Sequence, residues 1–201
     1  MESFLNYYLP VFIVSFIVLV FVLPSIRVHR QTGINPFRFI TRTHQTHDFV
    51  GATMKLFILL IIALVMVHSF SDHLYSFLAP FRYLETDALR WTGLVIGHLS
   101  IFGIMIAQWQ MKQSWRIGID YENKTLLVRE GLFSFSRNPI YLFLLFALTG
   151  LFLILPNAIT FAVLFAAFLV LHITIRLEEE FLYKQHGDSY LQYKKQVRRL
   201  L

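Results

Sequence analysis

Five long apolar runs constrain this chain more than any other feature of its sequence. They extend from about Leu5 to Ile26, Phe49 to Phe70, Ala88 to Met111, Asn138 to Leu155 and Ala158 to Ile175. A helix needs about 20 apolar residues to cross the hydrocarbon core of a bilayer, so each run is a candidate membrane span. Of the 201 residues, 56% are hydrophobic and 15% are charged. The sequence therefore predicts an all-α, polytopic membrane helix bundle of about five transmembrane helices.

The first run has the charge pattern of a span that is retained in the mature protein. A cleaved signal peptide carries positive charge before its apolar stretch. This run instead follows Glu2 and precedes Arg27 and Arg30. We expect a retained span that ends at Pro24 and Arg27.

Basic residues beside the runs predict the orientation of the protein in the membrane. They follow the first, third and fifth runs, as Arg27, Arg30, Arg38 and Arg42; Lys112, Arg116, Lys124, Arg129 and Arg137; and Lys184, Lys194, Lys195, Arg198 and Arg199. Because Lys and Arg in short loops resist translocation, the N-terminus is predicted outside and the C-terminus in the cytoplasm. The net charge of +6 is attributed to contact with anionic lipid headgroups rather than with nucleic acid. Function is expected on the cytoplasmic face.

Two polar clusters flank the last two runs, which are separated only by Pro156 and Asn157 and so predict a tight helical hairpin. The sequence Ser-Arg-Asn-Pro-Ile-Tyr occupies residues 136–141, and Arg-Leu-Glu-Glu-Glu occupies residues 176–180. Since the two helices are of similar length, the chain returns to the face it left and the clusters meet. The Arg137 guanidinium and the positive end of a helix then lie beside the carboxylates of the second cluster. The sequence predicts a preorganised polar pocket at the membrane surface.

Both clusters belong to a series of motifs that resembles a known family. The motifs are Gln113-Ser114-Trp115-Arg116-Ile117-Gly118-Ile119, Gly131-Leu132-Phe133, Arg137-Asn138-Pro139-Ile140-Tyr141, Glu178-Glu179-x-x-Leu182 and His186-Gly187-Asp188-Ser189-Tyr190-x-x-Tyr193. In this order and spacing they resemble the isoprenylcysteine carboxyl methyltransferase and phospholipid methyltransferase superfamily, and the first motif is similar to its bacterial branch. The resemblance covers roughly residues 108–201.

The resemblance implies S-adenosylmethionine-dependent methyl transfer to a lipid or lipid-linked acceptor in a bacterial inner membrane, as in isoprenylcysteine carboxyl methyltransferases. It makes residues 88–201 the methyltransferase core and residues 1–87 two supporting spans. The residues implied for cofactor binding are Arg137, Asn138, Pro139, Tyr141, Glu178 and Glu179, and those for catalysis are Arg176 and Glu179. Carboxylates suit the ribose hydroxyls and ammonium group of the cofactor, and Arg137 or Arg176 suits its carboxylate.

Two residues depart from the family pattern. Asn138 stands where the family usually has His, and His186 stands where Phe is common. Asn donates and accepts hydrogen bonds but takes up no proton near neutral pH. A role of Asn138 in cofactor recognition is therefore retained, and a general-base role is not.

Two other functions remain open from the sequence. A membrane sterol-type reductase with a nicotinamide cofactor would share the C-terminal hairpin. Such enzymes usually carry Asn-Tyr after the proline, whereas Ile140-Tyr141 follows Pro139 here. The other alternative is a catalytically silent membrane scaffold of the same fold, which the replacement at Asn138 favours.

Three further features have two interpretations each. His172 shares a helical face with Glu179 and either lines an acceptor channel or bonds to a neighbouring helix. His44 and His47 have a spacing that could hold a metal ion, but two ligands do not complete a site, and the alternative is that they are loop residues. The residues after Gly187 predict an amphipathic tail helix, which either lies on anionic lipid or caps the pocket.

Overall fold

The structure, a computed structural model, describes residues 1–37, 45–121 and 123–201. Its helices are α1 Glu2–Ile17, α2 Leu23–Thr32, α3 Gln45–Phe70, α4 Asp72–Ser76, α5 Asp87–Met111, α6 Pro139–Ile154, α7 Ala158–His186 and α8 Asp188–Gln196. The β pairing of the described ranges consists of isolated bridges. Arg38, Arg42 and His44 lie outside the described residues, as does the side chain of His47, so the roles expected for them stay predictions.

Four helical segments in these ranges are long and apolar enough to cross a membrane. They are Glu2–Thr32, Asp48–Phe70, Asp87–Ser114 and Ala158–His186. The fourth predicted span forms a shorter apolar helix, α6, whose 16 residues extend about 24 Å. The predicted helical membrane bundle is confirmed.

The first span does not end at Pro24 but continues as α2 to Thr32. A π-helical turn, Val18–Val22, joins α1 to α2. Because Pro24 has no N–H, it cannot donate to the Val20 carbonyl four residues earlier. The side-chain amide of Gln108 in α5 donates to that carbonyl instead, at 2.7 Å. Since an unpaired carbonyl is costly in hydrocarbon, this bond supports the continuation of the helix and ties it to α5.

The last long helix extends beyond the apolar run that predicted it. It ends at His186 rather than at Ile175, because the Glu, Leu and Lys residues that follow the run are strong helix formers. Leu171, Ile175 and Glu179 are buried and lie one turn apart on the same face. The second polar cluster is therefore held on a helix rather than in a loop.

The predicted hairpin between α6 and α7 is confirmed. Its turn is closed by the buried Asn157, whose side-chain oxygen accepts from the backbone N–H groups of Ile159 and Thr160. The Thr160 hydroxyl accepts in return from the Asn157 N–H. This reciprocal capping box fixes the residue at which α7 begins. The Phe81 N–H donates to the Pro156 carbonyl at 2.7 Å and covers the turn.

Helices α5 and α6 cross with their backbones in contact. A Cβ atom added to Gly93 would lie 2.5 Å from the Gly150 carbonyl oxygen, and one added to Gly150 would lie 2.7 Å from the Gly93 carbonyl oxygen. Small residues allow membrane helices to approach in this way. The crossing fixes α6, which begins at Pro139, within the first polar cluster.

Replacing Gly150 by leucine is expected to destabilise the protein, because the added side chain forces the two backbones apart. Overpacking of this kind costs about 1–3 kcal/mol or more, so the midpoint of thermal unfolding in detergent should fall. Ala162→Leu is the matched control, since Ala162 is exposed on α7. Equal midpoints for the two variants would contradict the close crossing.

Candidate active site

A cavity of about 330 Å³ lies between α1, α3, α5, α6 and α7. Along α6 its lining extends from Pro139 to Ile154, a distance of about 22 Å. Most of the wall is apolar and includes Phe12, Phe16, Met54, Phe57, Leu144 and Leu148. Polar lining residues gather where α6 begins, and they include Asp120, Arg137, Asn138, Tyr141 and Glu178. The cavity therefore suits a ligand or ligands with both polar and apolar parts.

Tyr141 and Glu178 form the centre of this polar end. Tyr141 lies on the first turn of α6 and Glu178 lies on α7, and the phenol hydroxyl donates a short hydrogen bond to the carboxylate. Both side chains line the cavity. The ion pairs found between described residues do not include Glu178. Its carboxylate is available to a cationic or hydroxylated ligand.

Arg137 and Glu179 form a buried ion pair beside the cavity. Arg137 Nη2 and Nε donate to Glu179 Oε1 at 2.7 and 3.0 Å, and the two side chains are 7% and 5% exposed. Glu179 Oε2 accepts from Arg199 Nη2 at 2.9 Å. Both oxygens of Glu179 are thus bound by arginines of the protein, whereas Glu178 faces the cavity. The two predicted carboxylates therefore differ in their partners, and the cofactor-binding and catalytic roles of Glu179 stay predictions.

The C-terminal segment, residues 194–199, comprises the end of α8 and the residues after it and completes the contacts of the first polar cluster. Arg137 Nη1 donates to the carbonyls of Lys194 and Val197 at 3.1 and 2.5 Å, and the Arg137 N–H donates to the Arg198 carbonyl at 2.9 Å. Asn138 Nδ2 donates to the Arg199 carbonyl at 3.0 Å. The cluster is therefore held by the C-terminal segment as well as by α7.

Residues 114–121 cover the polar end of the cavity. Trp115 and Ile119 are buried there, and Asp120 is 3% exposed and lines the cavity. Arg116 Nε donates to Asp120 Oδ2 at 3.0 Å, so this carboxylate is held in place. The motif that begins at Gln113 ends at Ile119, one residue before Asp120, so Asp120 was not among the predicted site residues. A single acidic residue directly after the apolar Ile119 was the available signal.

Helix α8 packs over the ion pair. Tyr190 and Tyr193 are buried, and the Tyr193 hydroxyl donates to the Phe133 carbonyl at 2.6 Å. Burial raises the pKa of Tyr190 to about 12, and the nearby Glu179 carboxylate adds to this effect. Burial also raises the pKa of Tyr193. Both phenols therefore stay neutral at physiological pH, and the tyrosine face of the tail helix is covered by protein rather than by lipid.

Three predicted residues remain to be placed. Pro139 begins α6, where its missing N–H costs nothing, and it lines the cavity. Arg176 is exposed and, two residues before Glu178 on the helix, points away from the cavity face. His172 Nδ1 lies 2.8 Å from the Phe168 carbonyl of its own helix. Neither Arg176 nor His172 lines the cavity, and the catalytic role of Arg176 stays a prediction.

Comparison with known proteins addresses the resemblance directly. The sequence model of the family described as phospholipid methyltransferase matches residues 88–189, which is half of the chain. The match begins with α5, includes residues 114–121 and the whole α6–α7 hairpin, and ends in α8. No curated protein matches the chain. The resemblance that the motifs indicated is confirmed, and the chain belongs to the phospholipid methyltransferase family.

Proposed function

We propose that this membrane methyltransferase transfers the methyl group of S-adenosylmethionine to a lipid or lipid-linked acceptor, as isoprenylcysteine carboxyl methyltransferases do. The observation that carries the proposal is one continuous cavity that joins an apolar chamber to a polar end with Glu178 and Tyr141. An acyl or prenyl chain suits the apolar chamber, because its walls are Phe, Leu, Ile and Met side chains. The reacting group of such an acceptor would then lie at the polar end.

The polar end contains groups that fit the cofactor. S-adenosylmethionine presents ribose hydroxyls, an ammonium group, a carboxylate and the edge of adenine. Glu178 offers a carboxylate for the hydroxyls or the ammonium group, and Asn138 offers an amide for adenine. When bound, the cofactor supplies an electrophilic methyl group on sulfur. Arg137 and Glu179 are proposed to hold these residues in place, because most of their hydrogen-bonding groups are already used within the protein.

The remaining task of the protein is to align the reactants and to exclude water. An in-line displacement gains most from fixed geometry, and a dry site prevents hydrolysis. The buried Trp115 and Ile119 shield the polar end from solvent. Asn138 takes up no proton, so we assign it to binding and not to proton removal.

We propose that the polar end faces the cytoplasm and that the N-terminus lies outside, in a bacterial inner membrane. Two bridges, between Phe37 and Ile117 and between Ser136 and Arg198, bring the basic segments of the chain to this end of the bundle. In this arrangement residues 88–201 supply the reacting groups. Residues 1–87 support them and contribute apolar wall.

The full-length protein, purified in detergent, is expected to bind S-adenosylhomocysteine in isothermal titration calorimetry. A circular dichroism spectrum with the expected helix content verifies that the sample is folded. A folded sample that binds neither S-adenosylhomocysteine nor S-adenosylmethionine would overturn the proposal. Binding without turnover would instead favour the silent scaffold, and binding of NADPH would favour the reductase.

The acceptor can be identified with a labelled methyl donor and a total membrane lipid extract. Mass spectrometry should detect a labelled lipid with wild-type protein and much less of it with Glu178→Gln. A labelled ester would indicate a carboxylate acceptor, and a labelled methylamine would indicate an amine. Donor binding without any labelled lipid would contradict the proposed acceptor class.

A further inference from the structure

We infer that Arg199 is a positioning residue of the proposed active site, which it orders through Glu179. The inference rests on the proposed function and adds a residue to it. In the sequence, Arg199 is one of several basic residues that follow the last span. In the structure it has a different set of contacts from its neighbours.

Two arginines bind the carboxylate of Glu179. This carboxylate is 5% exposed, and its two oxygens are divided between Arg137 and Arg199. A buried charge is tolerated only when it is paired and hydrogen-bonded. Without Arg199, Oε2 would lose its partner and the carboxylate would have to move or gain water.

Glu179 is linked to the cavity through its neighbour Glu178. Glu178 precedes Glu179 on α7, so a rotation of the helix that relieves Glu179 also displaces the cavity-facing carboxylate. The hydrogen bond from Tyr141 to Glu178 joins α7 to α6 at this level. The Arg199 carbonyl, moreover, accepts from Asn138 at 3.0 Å, directly before α6 begins. Arg199 therefore contacts both elements that carry the polar end.

Arg198, directly before Arg199, has the same charge but different contacts. Arg198 has an exposed side chain and contributes to the site through its backbone carbonyl, which accepts from the Arg137 N–H. Any residue supplies that carbonyl. The two adjacent arginines thus share charge and sequence context, and only one of them has a side chain in the ion-pair cluster.

The test compares Arg199→Ala with Arg198→Ala in the full-length protein in detergent. Arg199→Ala is expected to weaken S-adenosylhomocysteine binding about tenfold, as for the loss of one charged hydrogen bond, and to raise the KM for the donor more than it lowers kcat. Arg198→Ala should match the wild type. Arg199→Lys should restore part of the affinity, because an ammonium group also pairs with a carboxylate.

A double variant separates positioning from general stability. Because Arg199 acts through Glu179, Arg199→Ala should cause no further loss of affinity in a Glu179→Gln background. Equal effects of Arg198→Ala and Arg199→Ala, or additive losses in the double variant, would overturn the inference. A wild-type protein that does not bind the donor is a failure of the proposed function, and it is recognised before any variant is measured.

Discussion

Glu178→Gln is expected to weaken the binding of S-adenosylhomocysteine by roughly 100-fold, which corresponds to about 3 kcal/mol, while the protein stays folded. Glu178 lines the cavity, and its carboxylate has Tyr141 rather than a cation as its partner. Hydrogen bonds to a charged group contribute about 1.5–3 kcal/mol each. Glutamine keeps the shape of the side chain and its oxygen can still accept from the phenol, so the change removes the negative charge and one acceptor oxygen. Calorimetry in detergent measures the affinity.

The control is Glu180→Gln, two residues further along α7. Glu180 is exposed and pairs with Lys184 at 2.6 Å on the helix surface. Exposed pairs contribute little, so affinity and unfolding should both stay at wild-type values. If Glu178→Gln also bound the donor product as the wild type does, the cavity-facing carboxylate would have no part in cofactor binding.

The second large effect is expected on stability, from Arg137→Met. Methionine fills part of the volume of arginine but leaves Glu179 Oε1 and the carbonyls of Lys194 and Val197 without their donor. Breaking a buried ion pair by removing one partner costs about 3–5 kcal/mol. Denaturant or thermal unfolding in detergent measures this loss, and the C-terminal segment should become sensitive to protease at the same time.

Lys195→Met provides the comparison for Arg137→Met. Lys195 is exposed on α8 and undergoes the same change of residue type, so its unfolding midpoint should remain that of the wild type. An Arg137→Met protein as stable as Lys195→Met would mean that the ion-pair cluster does not hold the segment.

The sequence was sufficient to predict the membrane bundle and the meeting of the two polar clusters. Hydrophobic length located the long helices, since a bilayer sets that length. The two apolar runs of the hairpin are of similar length, and each residue of a helix adds a fixed rise. The chain was therefore predicted to return Glu179 to the level of Arg137. Both predictions depend on local rules, namely the length of an apolar run and the rise of a helix.

The sequence could not predict in the same way that Glu178 lines the cavity and that Glu179 pairs with two arginines. Adjacent residues on a helix point about 100° apart, and only the packing of α7 decides which one faces the cavity. The same reason explains why Arg176 lies on an exposed face of α7 and does not line the cavity. Arg199 and Asp120 lay outside the two clusters considered, because the tertiary fold alone brings them to the site.

The contribution of α1 also depends on a distant residue. From the sequence, Pro24 marks the end of a span, since proline interrupts helical hydrogen bonding. The side-chain amide of Gln108 donates the hydrogen bond that Pro24 cannot donate to the Val20 carbonyl. Neighbouring residues give no indication of a hydrogen bond between residues so far apart in the chain. The helix therefore continues past the proline at which the sequence predicted its end.

The contact between the start of α6 and the C-terminal segment has a consequence for biosynthesis. Asn138 and Arg199 are separated by 61 positions in the chain, and at about 5–20 residues per second a ribosome needs roughly 3–12 s to travel between them. During that interval α5 and α6 can already enter the bilayer and cross. Arg137, however, gains its partners only after Glu179 and then residues 194–199 have been synthesised. The nascent chain therefore passes through a stage in which α5 and α6 are inserted in the bilayer and the polar end of the cavity is not yet assembled.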